Sequence, residues 1–127
     1  MINVVLPLPN PHDIAAALSR TFGDAKVKLH ILAPNYGMVP LSRDGIANML
    51  KEMAEAVQNL ERAVYFLILS GHPIANIGAY MLMKQRFGKL GLLIYDSRRR
   101  KYFVLEDLPF EVQNFIHSDS TNLDKNV

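Results

Sequence analysis

Ser70-Gly71-His72-Pro73 puts a hydroxyl, a residue without a Cβ, an imidazole and a helix-starting proline in four consecutive positions. An apolar run, Ala63 to Leu69, leads into the quartet, and Ile74-Ala75-Asn76-Ile77-Gly78-Ala79 leaves it with helical spacing. Glycine lets a ligand approach the backbone, and the free amides of a helix start attract anions. Ser70, Gly71, His72 and Asn76 are therefore candidate ligand-binding residues. A plain strand-to-helix turn with His72 exposed would use the same residues. Arg98-Arg99-Arg100-Lys101 is a second cluster, in which four cations could contact phosphates while Tyr102 and Phe103 stack on bases. A solvated hairpin turn with sheet-packed aromatics accounts for it equally.

Catalytic patterns are sparse. His12, His30, His72 and His117 are too widely spaced for a metal-ligand motif. Ser70-x-His72 is not a triad signature, because near neighbours rarely align nucleophile and base and no acid partner is indicated. The catalytic candidates are Ser70, His72 and His12, the two histidines meeting only if the fold joins their loops. The lysine and Ser/Thr of a nucleotide P-loop are missing, as are the three spaced glycines of the dinucleotide fingerprint. No cofactor and no metal are expected.

With 127 residues, half of them hydrophobic and a fifth charged, the chain has the size and composition of one globular domain. A formal net charge of +2 is too small to imply duplex nucleic acid as a partner. The absence of cysteine excludes disulfides and thiolate chemistry and fits a cytoplasmic protein. The opening run, Met1 to Leu8, reads as a strand rather than a leader, and no apolar stretch approaches the roughly 20 residues of a membrane helix.

Elements that could position these groups are legible in the periodicity. Ile2 to Leu8 is a β-branched apolar strand closed by Pro7 and Pro9. Asn10, Pro11 and Asp13 form a helix start, followed by Ile14, Ala17, Leu18 and Phe22 on one face and Gly23 as terminator. Lys26 to Leu32 alternates, with Val27, Leu29 and Ile31 on one side, as a half-exposed strand near a sheet edge does. After a Pro- and Gly-containing loop, Ser42 or Asp44 caps a helix. Its inner positions are Ile46, Leu50, Met53, Ala54, Val57 and Leu60, and Lys51, Glu52, Glu55 and Glu61 face water. Ala63 to Ser70 is a central strand. A third helix follows, with Ile74, Ile77, Met81 and Leu82 inward, Gly78 and Ala79 allowing close packing against the sheet or a second copy, and Gly88 as its stop.

Gly91 to Tyr95 and Tyr102 to Leu105 are the last strands, paired as a hairpin. Phe110 to Ile116 could form a short helical turn, and 118–127 reads as a polar, disordered tail. The order β-α-β-α-β-α-β-β predicts an α/β fold: one Rossmann-like three-layer domain over 1–117. Its mostly parallel sheet of about five strands would carry helices on both faces. Ligands of such sheets bind beyond the carboxyl ends of the strands. That rule adds Pro9 and Asn10 to the ligand-binding candidates, brings in the 34–44 loop, and places Arg98, Arg99, Arg100 and Lys101 at the same edge.

The segments VYFLILSGHPIANIGAYML and GLLIYDSRRRKYFVLEDLP, within Val64 to Pro109, resemble the closing half of SAVED domains, relatives of the CARF domains of CRISPR systems. The matching residues are Gly71 and Pro73, Ala75 and Gly78, and Tyr95 with Tyr102. The likeness covers about a third of the chain, and His72 stands between a glycine and a proline that adjoin in the family. It implies binding of a cyclic oligonucleotide of the oligoadenylate class in prokaryotic antiviral defence. SAVED domains hold two CARF-like units, whereas this chain has room for one, so a symmetric ligand implies a homodimer. The small CRISPR ring nucleases suggest a further step, metal-free cleavage by the ribose 2′-hydroxyl. Ser70, His72 and a cation from Arg98 to Lys101 would stabilise charge there. The alternatives are a non-catalytic protein-interaction module and a small Rossmann-like enzyme acting on another phosphorylated metabolite.

Overall fold

A computed structural model describes residues 1–10, 14–69 and 71–106. Five strands and three helices alternate: β1 (Ile2–Leu6), α1 (Ile14–Phe22), β2 (Val27–Ile31), α2 (Arg43–Gln58), β3 (Tyr65–Leu69), α3 (Pro73–Phe87), β4 (Gly91–Asp96) and β5 (Lys101–Leu105). The sheet order is β2-β1-β3-β4-β5. β1 pairs in parallel with β2 and β3, β3 pairs in parallel with β4, and β4 pairs antiparallel with β5. This is the expected α/β, Rossmann-like domain with a mostly parallel sheet. The expected tail, 118–127, and the turn at Phe110 to Ile116 lie outside the described residues.

Parallel neighbours require crossovers, and the helices supply them. From β1 the chain steps outward to β2, then returns across β1 to β3. The strand order therefore reverses between β1 and β3.

Side chains alternate along a strand, and β1 feeds two separate apolar clusters. Val4 and Leu6 pack with Ala17 and Leu18 of α1, Ile68, Leu93 and Tyr102. Val5 packs with Met49, Met53 and Val57 of α2, Ala75, Ala79 and Met83 of α3, Tyr65 and Leu67. No polar or charged residue is fully buried among the described residues.

The strong apolar period of α2 is realised as an amphipathic helix. Ser42 is its N-cap, the side-chain oxygen accepting from Gly45 N at 3.0 Å. Glu52 departs from its expected place in water: it is half-buried, and Oε1 accepts from Asn35 Nδ2.

Three expectations are corrected by the packing. On α3 the inward residues are Ala75, Ala79 and Met83, whereas Ile74, Ile77 and Met81 point outward, with Ile77 58% and Met81 64% exposed. The helix is apolar all round, so its pattern does not select a buried face, and the sheet takes the alanine side because small residues let the helix approach closely. Gly78 meets α2: a Cβ there would lie 2.4 Å from Leu50 Cδ2 and 3.9 Å from Met53 Cε. Its missing side chain serves helix–helix contact, not the sheet. On β2, Leu29 and Ile31 are exposed while His30 is half-buried. β2 is the edge strand, and on the face that carries Val27, Leu29 and Ile31 only Val27 joins the cluster under α1, so the other two stay open.

Candidate functional site

β1 and β3 lie side by side, and the loops leaving them diverge toward opposite ends of the sheet. A crevice at that reversal is the expected ligand position in an open α/β sheet. The structure has a cleft there of about 1040 Å³, at the top of the range of roughly 300–1,000 Å³ usual for small-ligand sites. Leu8, Pro9 and Asn10 enter it from the end of β1, and Gly71 and His72 from the end of β3. Met38, Val39 and Leu41 follow β2, and Arg100 lies in the turn after β4. Ile14, Ala17 and Arg20 of α1 line it together with Tyr95 and Tyr102 of the β4–β5 hairpin, which packs against that helix.

Of the residues singled out by sequence, the cleft brings together Pro9, Asn10, Gly71, His72 and Arg100. Asn76, Arg98, Arg99 and Lys101 are not among its lining residues. Ser70 and His12 lie outside the described residues. Asn76 sits within α3 as a half-buried residue whose Oδ1 is buried without a hydrogen-bond partner among the described residues.

Gly71 has φ +77°, a left-handed conformation that a side chain would strain. A Cβ there would meet nothing within 4 Å. Backbone conformation, rather than crowding, accounts for the glycine. His72 then caps α3, its Nδ1 accepting from Ile74 N at 3.2 Å. An accepting Nδ1 places the proton of the neutral ring on Nε2, which leaves Nε2–H as a hydrogen-bond donor. His72 is thus exposed, as a plain turn would leave it, yet it also caps the helix and offers Nε2–H as a donor.

The basic turn divides in the same way. Asp96 organises it: Oδ1 accepts from Arg98 N at 3.1 Å and Arg99 N at 3.4 Å, and its carbonyl accepts from Arg100 N at 2.8 Å. Arg99 Nε also approaches Asp96 Oδ2 at 3.8 Å, an exposed pair of little energetic weight. Most of the run therefore serves as a hairpin turn. Arg100 alone of the four lines the cleft.

Sequence reasoning missed Arg20. It lies three residues after Ala17, so it shares the face of α1 that meets the sheet, and that spacing was the available signal. Tyr95 and Tyr102 meet edge to face, with ring centroids 5.7 Å apart and an interplanar angle of 69°. Tyr102 is 7% exposed and Tyr95 47%, so the inner ring supports one that remains open. Burial, and then the neighbouring Tyr95, push the Tyr102 phenol above its ordinary range. It stays a neutral O–H donor. Phe103, the other expected stacking residue, is 58% exposed and stands opposite Ile94, outside the cleft lining.

The described lining therefore carries two guanidinium groups, an imidazole and two phenols, and no carboxylate. Such a cleft can take an anion beside an aromatic or apolar group. Among the described residues no cluster of three His, Cys, Asp or Glu could hold a metal ion, and no described helix is long and apolar enough to cross a membrane. No family model, curated protein or solved structure matches the chain.

Proposed function

We propose that the cleft binds a nucleotide polyanion, and that the ligand is a cyclic oligonucleotide of the oligoadenylate class, held by a homodimer in prokaryotic antiviral defence. One observation carries the binding reading: Arg20, Arg100, Tyr95 and Tyr102 converge, with no carboxylate among the described lining residues, on a cleft where the strand order reverses. Guanidinium groups suit phosphate oxygens, and an open tyrosine ring suits a base. The CARF/SAVED resemblance supports the cyclic class, since it falls on Gly71, Pro73, Tyr95 and Tyr102 at and around this cleft.

The homodimer draws support from α3. Ile74, Ile77 and Met81 form an outward apolar stripe at helical spacing. That helix begins at His72, a cleft residue, so a two-fold contact along the stripe would set two clefts close to one axis.

Binding is favoured over cleavage by the chemistry of His72. Its Nδ1 is engaged with Ile74 N, and Nε2–H is suited to donate to a phosphate oxygen rather than to remove a proton.

Titration calorimetry with cyclic tri-, tetra- and hexaadenylate, without metal, tests the reading. Micromolar or tighter binding of one ring size is expected, together with a dimer by light scattering. Absence of binding to all three would overturn it. Binding of another phosphorylated metabolite instead would favour the small-enzyme alternative, and a linear product would restore the ring-nuclease step.

A further inference from the structure

Five cations stand at or near the mouth of the cleft, and their circumstances differ. All five are exposed, but Arg98, Arg99 and Lys101 lie outside the lining, and the backbone amides of Arg98 and Arg99 are held by Asp96. Arg20, from α1, and Arg100, from the turn after β4, both line the cleft. They are joined there, because Arg20 Nε donates to the backbone oxygen of Arg100.

Arg100 is also the one non-glycine residue with positive φ, at 56°, among the described residues. A left-handed conformation strains a residue that bears a side chain. Glycine or asparagine would occupy the closing position of such a turn at less cost. The hairpin therefore retains a strained arginine where a relaxed residue would close the same turn.

The seam beneath this pair is fixed by Thr21. Its hydroxyl accepts from Tyr102 N at 2.8 Å and donates to Ala17 O at 2.7 Å. α1 is thereby locked to β5 one residue away from Arg20. The bond to Arg100 uses one of the five N–H donors of the Arg20 guanidinium. The other four have no hydrogen-bond partner among the described residues.

We infer that Arg20 and Arg100 form a two-guanidinium clamp on one phosphate group, that Thr21 positions it, and that the other cations of the turn do not read the ligand. Two arginines with no carboxylate among the described lining residues suit the bidentate binding that phosphate favours. The clamp deepens the nucleotide reading but requires only a phosphate.

Isothermal titration with inorganic pyrophosphate and with cyclic tetraadenylate, at one fixed low salt concentration, tests it on the whole chain. Arg100→Gly is expected to melt at or above the wild-type temperature while pyrophosphate affinity falls about tenfold or more, the weight of lost charge-assisted hydrogen bonds. Arg20→Met should lose a similar factor. The double variant Arg98→Gln/Arg99→Gln should stay within about threefold, the share of surface charges. Thr21→Val should weaken binding and Thr21→Ser should restore it, which a loss of packing alone would not do.

Wild-type affinity in Arg100→Gly overturns the clamp. So does an equal loss in the Arg98/Arg99 double variant, or failure of the wild-type protein to bind pyrophosphate. Arg100-dependent pyrophosphate binding with no cyclic oligoadenylate binding would leave the clamp standing and remove the cyclic-ligand reading.

Discussion

The two apolar clusters share one sheet but hold their helices in different ways. α2 and α3 are fastened by dry contact: Met49, Met53, Ala79 and Met83 are fully buried, and Gly78 lets Leu50 of α2 approach α3. At the far end, Arg86 of α3 donates to Val57 O and Leu60 O, both at 3.1 Å, and so satisfies carbonyls at the end of α2. α1 has a smaller apolar contact, chiefly Ala17 and Leu18, and reaches β5 through polar bonds from Arg20 and Thr21. The cleft opens along this polar seam. Apolar packing holds a helix without dictating where donors point, whereas a hydrogen-bonded seam orients the groups that a ligand must meet.

That contrast can be broken in four ways, taken from the largest effect down. Met53→Ala empties a fully buried site between α2 and the sheet. It should cost about 2–5 kcal/mol of unfolding free energy by denaturant titration, with ligand affinity of the folded fraction unchanged. An affinity loss of similar size would show that the two clusters are not separable. Thr21→Val leaves Tyr102 N without its acceptor and should cost about 1–3 kcal/mol, here with loss of binding as well. If stability falls and binding does not, the seam is structural only.

Ser42→Ala removes the N-cap of α2 and should cost about 1 kcal/mol with no effect on the cleft. The smallest effect belongs to His30. It is half-buried beside Tyr65 at 5.7 Å, with Nε2 3.3 Å from Asn3 Oδ1. Burial, and secondarily Lys28, hold its pKa below the ordinary value. The folded state thus favours the neutral ring, and its contribution is complete above the unfolded pKa of about 6.5. It is lost as pH falls from there through the folded pKa. Melting temperature against pH should therefore drop more steeply below about 6.5 in wild type than in His30→Gln, and parallel curves would remove His30 from the account.

Legibility followed the strength of the periodic signal. The element order, the antiparallel final hairpin, the Ser42 cap and the edge position of β2 could all be read, because each depends on local pattern. α3 could not. Apolar residues surround it, so nothing local says which stripe the sheet will cover, and only contact with α2 through Gly78 decides. The cleft was partly legible: the carboxyl-edge rule found Pro9, Asn10, Gly71, His72 and Arg100. It included Arg98, Arg99, Lys101 and Asn76 with them, because proximity in sequence does not resolve which residues of a turn or a first helical turn face a crevice.

Sequence alone determined the alternation of strands and helices, the capping of α2 and the presence of a glycine–histidine–proline junction beyond a central strand. These follow from short-range sterics and hydrogen bonding, which a chain carries wherever it folds. The tertiary structure decided that Arg20 meets Arg100, eighty positions away, and that the paired Tyr95 and Tyr102 border the same cleft as the loops after β1 and β3. A residue whose role depends on a distant partner has no local signature, and the groups that line this cleft are of that kind.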